Sequence, residues 1–155
     1  MKRSEIIAEL RRFFAYQELV CDHTFKRFGS NGWYIMPTSW LHTLLVIRRD
    51  ILQRPMICNN YSSTSAMYTQ RGCRCNLCQI VRDETAAGRC YQSAHANNVG
   101  CDFTVSGMTA EEARRVIVAK QELLPYPIRL ELDVSWLHID GFDYDNGMKV
   151  NFFNG

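Results

Sequence analysis

Residues 93–103 read Ser93-Ala94-His95-Ala96-Asn97-Asn98-Val99-Gly100-Cys101-Asp102-Phe103, and residues 135–140 read Ser135-Trp136-Leu137-His138-Ile139-Asp140. The first run joins a turn to a strand. Asn97, Asn98 and Gly100 tolerate left-handed backbone, which lets a histidine in the turn and an aspartate on the strand face one another. The second run is apolar enough for a neighbouring strand of the same sheet and carries a further histidine. His95, Asp102 and His138 then form a three-donor set of two imidazoles and one carboxylate. Such a set suits a tetrahedral zinc with its fourth position open, the arrangement a hydrolytic site needs. A lone histidine on a strand is more often an ordinary core or surface residue. His23 and His42 are read that way, one in an irregular stretch and the other in mid-helix.

Outward from these runs the chain reads as α+β. Ile6, Ile7, Leu10, Phe13 and Phe14 recur at helical spacing over 4–14, with Ser4 as N-cap. Pro37-Thr38-Ser39 opens a second helix whose buried stripe runs through Leu41, Leu44, Leu45, Ile51 and Leu52 until Pro55 stops it. Residues 56–58 and 101–105 read as strands. Thr109-Ala110-Glu111-Glu112 is a capping box that starts a helix to about Leu124. Residues 128–139 read as two strands or one long bent strand. Asp145-Asn146-Gly147 predicts a hairpin leading into a final strand at 149–153. The pattern predicts one domain over 1–155, with an antiparallel sheet, helices packed on one side, and a Cys-rich insert at about 59–92. No repeat or linker interrupts it.

Composition narrows the function classes. Of 155 residues, 46% are hydrophobic and 22% charged, which places the chain among globular proteins. A net charge of +2 without a basic block gives no reason to expect nucleic-acid binding. No apolar run approaches the roughly 20 residues of a membrane span. Met1-Lys2-Arg3-Ser4-Glu5 leads into an amphipathic segment with no signal-peptide core behind it. Synthesis in a cytoplasm is expected, with delivery by other means if the target lies outside.

Seven cysteines, an odd number, argue against a full disulfide framework. Cys73, Cys75, Cys78 and Cys90 lie close together in the insert and could form a second, structural zinc site. Disulfides formed after release, or free thiols, are the alternatives. Cys101 should point to the opposite sheet face from Asp102.

The two runs also resemble the zinc D-Ala-D-Ala peptidase family. This group comprises D-Ala-D-Ala dipeptidases and carboxypeptidases and phage L-alanyl-D-glutamate endolysins, and the hedgehog signalling domain shares its fold. The family pattern is Ser-x-His-x-x-Gly-x-Ala-x-Asp followed by Trp-x-His. Ser93, His95 and Asp102 match the first part and Trp136-Leu137-His138 the second. Phe14 to Glu18 and Arg49 to Pro55 fit the order of elements, and the chain looks most like small members carried by bacterial viruses. Asn98 stands where the family has glycine, and Gly100 where it has alanine. Asn59-Asn60-Tyr61-Ser62 stands where relatives carry Ser-Gly-Tyr-Arg, an arginine that binds substrate carboxylate. Arg71, Arg74, Arg82 and Arg89 are possible substitutes.

The resemblance implies a zinc peptidase cutting peptidoglycan stem peptides, in phage lysis or entry or in cell-wall turnover, as a carboxypeptidase or an endopeptidase. It places His95, Asp102 and His138 on the metal and a carboxylate base upstream of the last histidine. Glu131 and Asp133 are the candidates, Glu131 preferred for its reach. Ser93 would contact substrate or orient the loop, Trp136 would lie beside the site, and Asp140 could accept a hydrogen bond from a liganding imidazole. The competing expectation is a non-catalytic zinc-containing module on the same fold that binds a peptide or cell wall, or a virion protein.

Overall fold

Five strands and five helices carry the chain in a computed structural model that describes residues 1–61 and 68–155. The helices are α1 (Arg3–Leu10), α2 (Asp22–Phe28), α3 (Thr38–Val46), α4 (Gln79–Ala86) and α5 (Ala110–Ala119). The strands are β1 (Met56–Ile57), β2 (Gly100–Val105), β3 (Ile128–Glu131), β4 (Leu137–Asp140) and β5 (Val150–Phe153). They form one sheet in the order β1-β2-β4-β3-β5. The architecture is α+β, and none of the described helices is long and apolar enough to cross a membrane.

Strand alternation divides the sheet into two chemically distinct faces. Cys101, Phe103 and Val105 of β2, Ile128 and Leu130 of β3, and Leu137 and Ile139 of β4 join one buried apolar cluster. Ile6 and Leu10 of α1, Trp40, Leu41, Leu44 and Leu45 of α3, and Ala113 and Ile117 of α5 complete that cluster. The alternate residues, Asp102, Arg129, Glu131, His138, Asp140, Asn151 and Phe153, occupy the other face. All the polar chemistry read from the two sequence runs therefore lies away from the α1/α3/α5 layer.

The sheet is mixed, a correction to the antiparallel arrangement expected from the sequence. β1–β2, β2–β4 and β3–β4 are antiparallel, but β5 runs parallel to β3, with Ile128 opposite Val150 and Glu131 opposite Phe153. Both edges of β4 are already occupied by β2 and β3, so the chain leaving β4 must cross to an outer edge of the sheet, and it adds outside β3. Asp145 and Gly147 do adopt positive φ (53° and 76°), yet they turn the chain within this crossover and not within a hairpin.

Local signals fixed some ends better than others. Thr109 caps α5 as expected: its hydroxyl accepts from the Glu112 N–H at 3.1 Å, and Glu112 accepts from the Thr109 N–H at 2.7 Å. α1 starts two residues earlier than a Ser4 cap would set it, at Arg3, with Lys2 in the cap position and its N–H donating to Glu5 at 2.8 Å; Ser4 is not its cap. α3 runs into a π-helical turn, Ile47–Leu52, and Gln53 then ends it in left-handed backbone at φ 55°. Lys120, just after α5, donates to the Ile51 carbonyl at 3.1 Å and so ties that turn to α5. α2 and α4, neither of which was expected, are short, and each follows a cysteine.

Candidate metal centres

β2 and β4 pair with Asp102 opposite His138. Both side chains point to the polar face, and the turn before β2 brings His95 onto them. That turn closes through Ala96 N–H to the Ser93 carbonyl (3.1 Å) and Val99 N–H to the Ala94 carbonyl (3.0 Å). Asn98 takes φ 59°, the left-handed conformation that favoured Asn at this position. Gly100 is required by space: a Cβ there would lie 2.7 Å from Cβ of Ala94 and 3.1 Å from Cβ of Asp140.

The result is a buried trio. His95, Asp102 and His138 are 6%, 8% and 6% exposed, and one donor atom from each lies within 4.8 Å of the other two. Nδ1 of His138 is 2.7 Å from Oδ1 of Asp102, and Nε2 of His95 is 3.5 Å from Oδ2. The imidazole rings meet edge to face, with centroids 5.1 Å apart.

The outward nitrogens fix how the rings can act. Nδ1 of His95 lies 3.0 Å from the Gly72 carbonyl, which can only accept; that nitrogen therefore carries a proton and leaves Nε2 as the inward donor. Nε2 of His138 lies 2.9 Å from Oδ2 of Asp140. Asp140 is fully buried and also receives Nε and Nη2 of Arg129 (3.0 and 2.9 Å) and the Phe142 N–H (2.9 Å). Backing of each inward nitrogen by an outward acceptor is the usual support of a metal-binding histidine. Two imidazoles and a carboxylate fit zinc, so the trio can hold such an ion through Nε2 of His95, an Asp102 oxygen and Nδ1 of His138.

Electrostatics follow from that wiring. Burial alone would lower the His138 pKa, but hydrogen bonds to Asp102 and Asp140 outweigh it and hold the imidazole at about 9. Burial would raise Asp102; the hydrogen bonds from His138 and then His95 reverse this and keep it well below the usual carboxylate range. Asp140 is lowered against its own burial by His138 and Arg129. Without a metal, His138 is thus a cation held between two anions.

The other expected residues fall into place unequally. Continuing the β3–β4 register (Arg129 opposite Asp140, Leu130 opposite Ile139) by one residue sets Glu131 opposite His138 on the same face. Its carboxylate rests against Gly155, leaving no room for a side chain on that glycine. Asp133 lies beyond β3, exposed, at φ 60° in the turn to β4. Trp136 immediately precedes β4 and is 36% exposed. Ser93 accepts a hydrogen bond from Ala96 N–H at 3.3 Å, so it braces the loop that carries His95.

Among the arginines, Arg71 donates to Oγ1 of Thr104 at 2.8 Å, on the face that carries Asp102. Arg74 is engaged by Gln70 and Tyr91, and Arg89 by Glu84. Arg82 is exposed on α4. Ser62, at the position of the family arginine, lies outside the described residues.

The proposed four-cysteine set is corrected. Cys73 is buried in the main apolar cluster, where the neighbouring Cys101 thiol and burial hold its pKa well above the usual thiol range. Cys90 is exposed beyond α4. Cys75 and Cys78 instead meet Cys21 and His23, and one donor atom from each of the four lies within 4.8 Å of the others. Sequence spacing could not show this, because the two pairs are brought together by a parallel bridge between Val20 and Cys73. Among the described residues there are thus two clusters able to bind a metal ion.

No family model, curated protein or solved structure matches this chain.

Proposed function

We propose that this protein is a zinc-dependent peptidase of the D-Ala-D-Ala peptidase and hedgehog-like type, acting on peptidoglycan stem peptides. The observation that carries this reading is the convergence of His95, Asp102 and His138, with both inward nitrogens backed from behind by Gly72 and Asp140. A bound zinc would supply Lewis acidity, polarising a peptide carbonyl and making water acidic enough to attack it at neutral pH.

The chain's own residues supply the rest. Glu131, across the ladder from His138, takes the proton from the attacking water and returns it to the leaving amine. Asp133 is the poorer base, since it sits in a solvated turn past the end of the strand. Arg71 anchors a substrate carboxylate. The Thr104 that holds it is two residues beyond Asp102 on the same face of β2, about 7 Å along the strand. Asp140 and Arg129 hold the His138 ring in place, and Phe153 packs edge-on against it with centroids 5.5 Å apart. Delivery to the cell wall would come from lysis or a virion.

A second reading is a zinc-containing module that binds a peptide or the cell wall without cutting it. The position of the Glu131 carboxylate against Gly155 favours it, because a base must reach the water. Digestion of purified peptidoglycan, with mass analysis of the fragments, separates the two. Cleavage by wild type, its loss in Glu131→Gln with zinc retained, and loss of both in His138→Ala support the peptidase. Bound zinc with intact peptidoglycan refutes it.

A further inference from the structure

We propose that Cys21, His23, Cys75 and Cys78 bind a structural zinc ion that clamps α2 to the start of α4. This inference is independent of the peptidase reading, since none of these residues touches the His95 trio.

The geometry is that of a closed site. Zinc–sulfur and zinc–nitrogen bonds of about 2.3 and 2.0 Å, set tetrahedrally, separate a sulfur from a nitrogen donor by roughly 3.6 Å. Sγ of Cys78 lies 3.9 Å from Nδ1 of His23, and the four donor atoms lie within 4.8 Å of one another. Cys21 and Cys78 are buried, at 2% and 0% exposure. Four protein donors, three of them sulfur, leave no position for a substrate, which separates this cluster from the three-donor trio.

The backbone is built to present sulfur. Cys75-Asn76-Leu77-Cys78 is a tight turn closed by the Cys78 N–H on the Cys75 carbonyl at 3.1 Å. The Leu77 N–H points at Sγ of Cys75, 3.4 Å away. Such an amide stabilises the thiolate, the form that binds metal. Cys78 then immediately precedes α4, and Cys21 immediately precedes α2, with His23 in its first turn.

The segment also lacks another means of support. α4 is eight residues long and buries only Val81. The small apolar cluster beneath it contains Cys21, Cys78 and Val81, with Cys75 and Tyr91 at its edge. A helix this short with one buried apolar residue is not stable by itself. Three of the five side chains in that cluster are the ligands themselves, so a metal would replace packing that the sequence does not provide.

The full-length chain provides the test. Native mass spectrometry after zinc loading should show a bound ion that is retained in His138→Ala. Cobalt substitution should give a near-ultraviolet thiolate-to-metal band that persists in His138→Ala and disappears in Cys75→Ser/Cys78→Ser. If the double variant does not fold, wild type still decides the matter. Zinc should slow alkylation of half-buried Cys75 by at least about tenfold while leaving exposed Cys90 unchanged. His23→Cys should keep the ion with four thiolates. Equal alkylation of Cys75 with and without zinc, or absence of the cobalt band, would each overturn the proposal. Failure of peptidoglycan cleavage would not affect it.

Discussion

Replacing Arg114 with methionine should unfasten the turn between β3 and β4. Arg114 lies on α5, its side chain only 6% exposed. Its guanidinium donates to three carbonyls of that turn: Glu131 at 3.1 Å, Val134 at 3.2 Å and Trp136 at 3.3 Å. Asp133 sits at φ 60° between them, so the turn has little backbone preference of its own to maintain its shape. A hydrogen bond from a charged donor contributes about 1.5–3 kcal/mol when well formed. These three are long and the turn is partly solvated, so about 1 kcal/mol each is the better figure. Methionine keeps the packing volume and removes a buried charge, which offsets part of the loss. The expected net destabilisation is about 2–3 kcal/mol, a sizeable share of the roughly 5–15 kcal/mol that holds a domain folded. The Glu111 partner of Arg114 is half exposed and adds little. Urea unfolding of metal-free protein measures the change directly. Arg114→Lys, with one point charge in place of a fork, should fall between wild type and Arg114→Met. A methionine variant within about 0.5 kcal/mol of wild type would show that the guanidinium does not support the turn.

Two more perturbations address the trio. His138 is raised from its ordinary value to about 9 in the folded metal-free protein. Its stabilisation is therefore complete below the unfolded value of about 6.5 and is lost as pH rises through 9, up to about 3 kcal/mol in all. In chelator, the stability difference between wild type and His138→Gln should shrink across that window. Added zinc should reverse the trend for wild type, because metal binding displaces the proton; a difference that is flat with pH in chelator would refute the assigned hydrogen bonds. Gly100→Ala should cost about 1–3 kcal/mol, since its Cβ would fall 2.7 Å from that of Ala94 and 3.1 Å from that of Asp140. Because those neighbours position His95 and His138, zinc content should fall with stability. A variant as stable and as zinc-loaded as wild type would disprove the close packing.

What could be read from the sequence was whatever is encoded within a few residues. The Thr109 capping box, the Asn98 turn and the alternation that separates Asp102 from Cys101 are local devices, and each appears where its chemistry required. The trio was legible because His95 and Asp102 share one turn-strand unit and Trp136-Leu137-His138 reads as the start of the partner strand. The sheet order was not legible. Asp145-Asn146-Gly147 specifies a local bend, whereas the place of β5 depends on which strand edges are already filled. The cysteine cluster failed for the same reason. Cys73 and Cys90 are neighbours of Cys75 and Cys78 along the chain, but alternation drives Cys73 into the apolar cluster and α4 carries Cys90 away. His23 offered nothing to distinguish it until α2 placed it beside Cys78.

The stretch from Arg71 to Arg74 links the two clusters. On one side Cys73 exchanges backbone hydrogen bonds with Leu19 and Cys21, both at 2.8 Å. On the other, the Arg71 carbonyl accepts from Asp102 N–H at 2.8 Å and Arg74 N–H donates to the His95 carbonyl at 2.9 Å. Gly72, between them, supplies the carbonyl that sets the His95 tautomer, and no side chain could replace its hydrogen because a Cβ would lie 2.5 Å from the Leu19 carbonyl oxygen. Four consecutive residues therefore position two members of the trio and lead directly into Cys75. An ion held by Cys21, His23, Cys75 and Cys78 would fix one end of this stretch and thereby restrict where His95 can sit. The converse coupling is weaker, since β2 and β4 hold Asp102 and His138 on their own. Loss of the cysteine-bound ion should accordingly loosen His95 first and leave the Asp102–His138 pair in register.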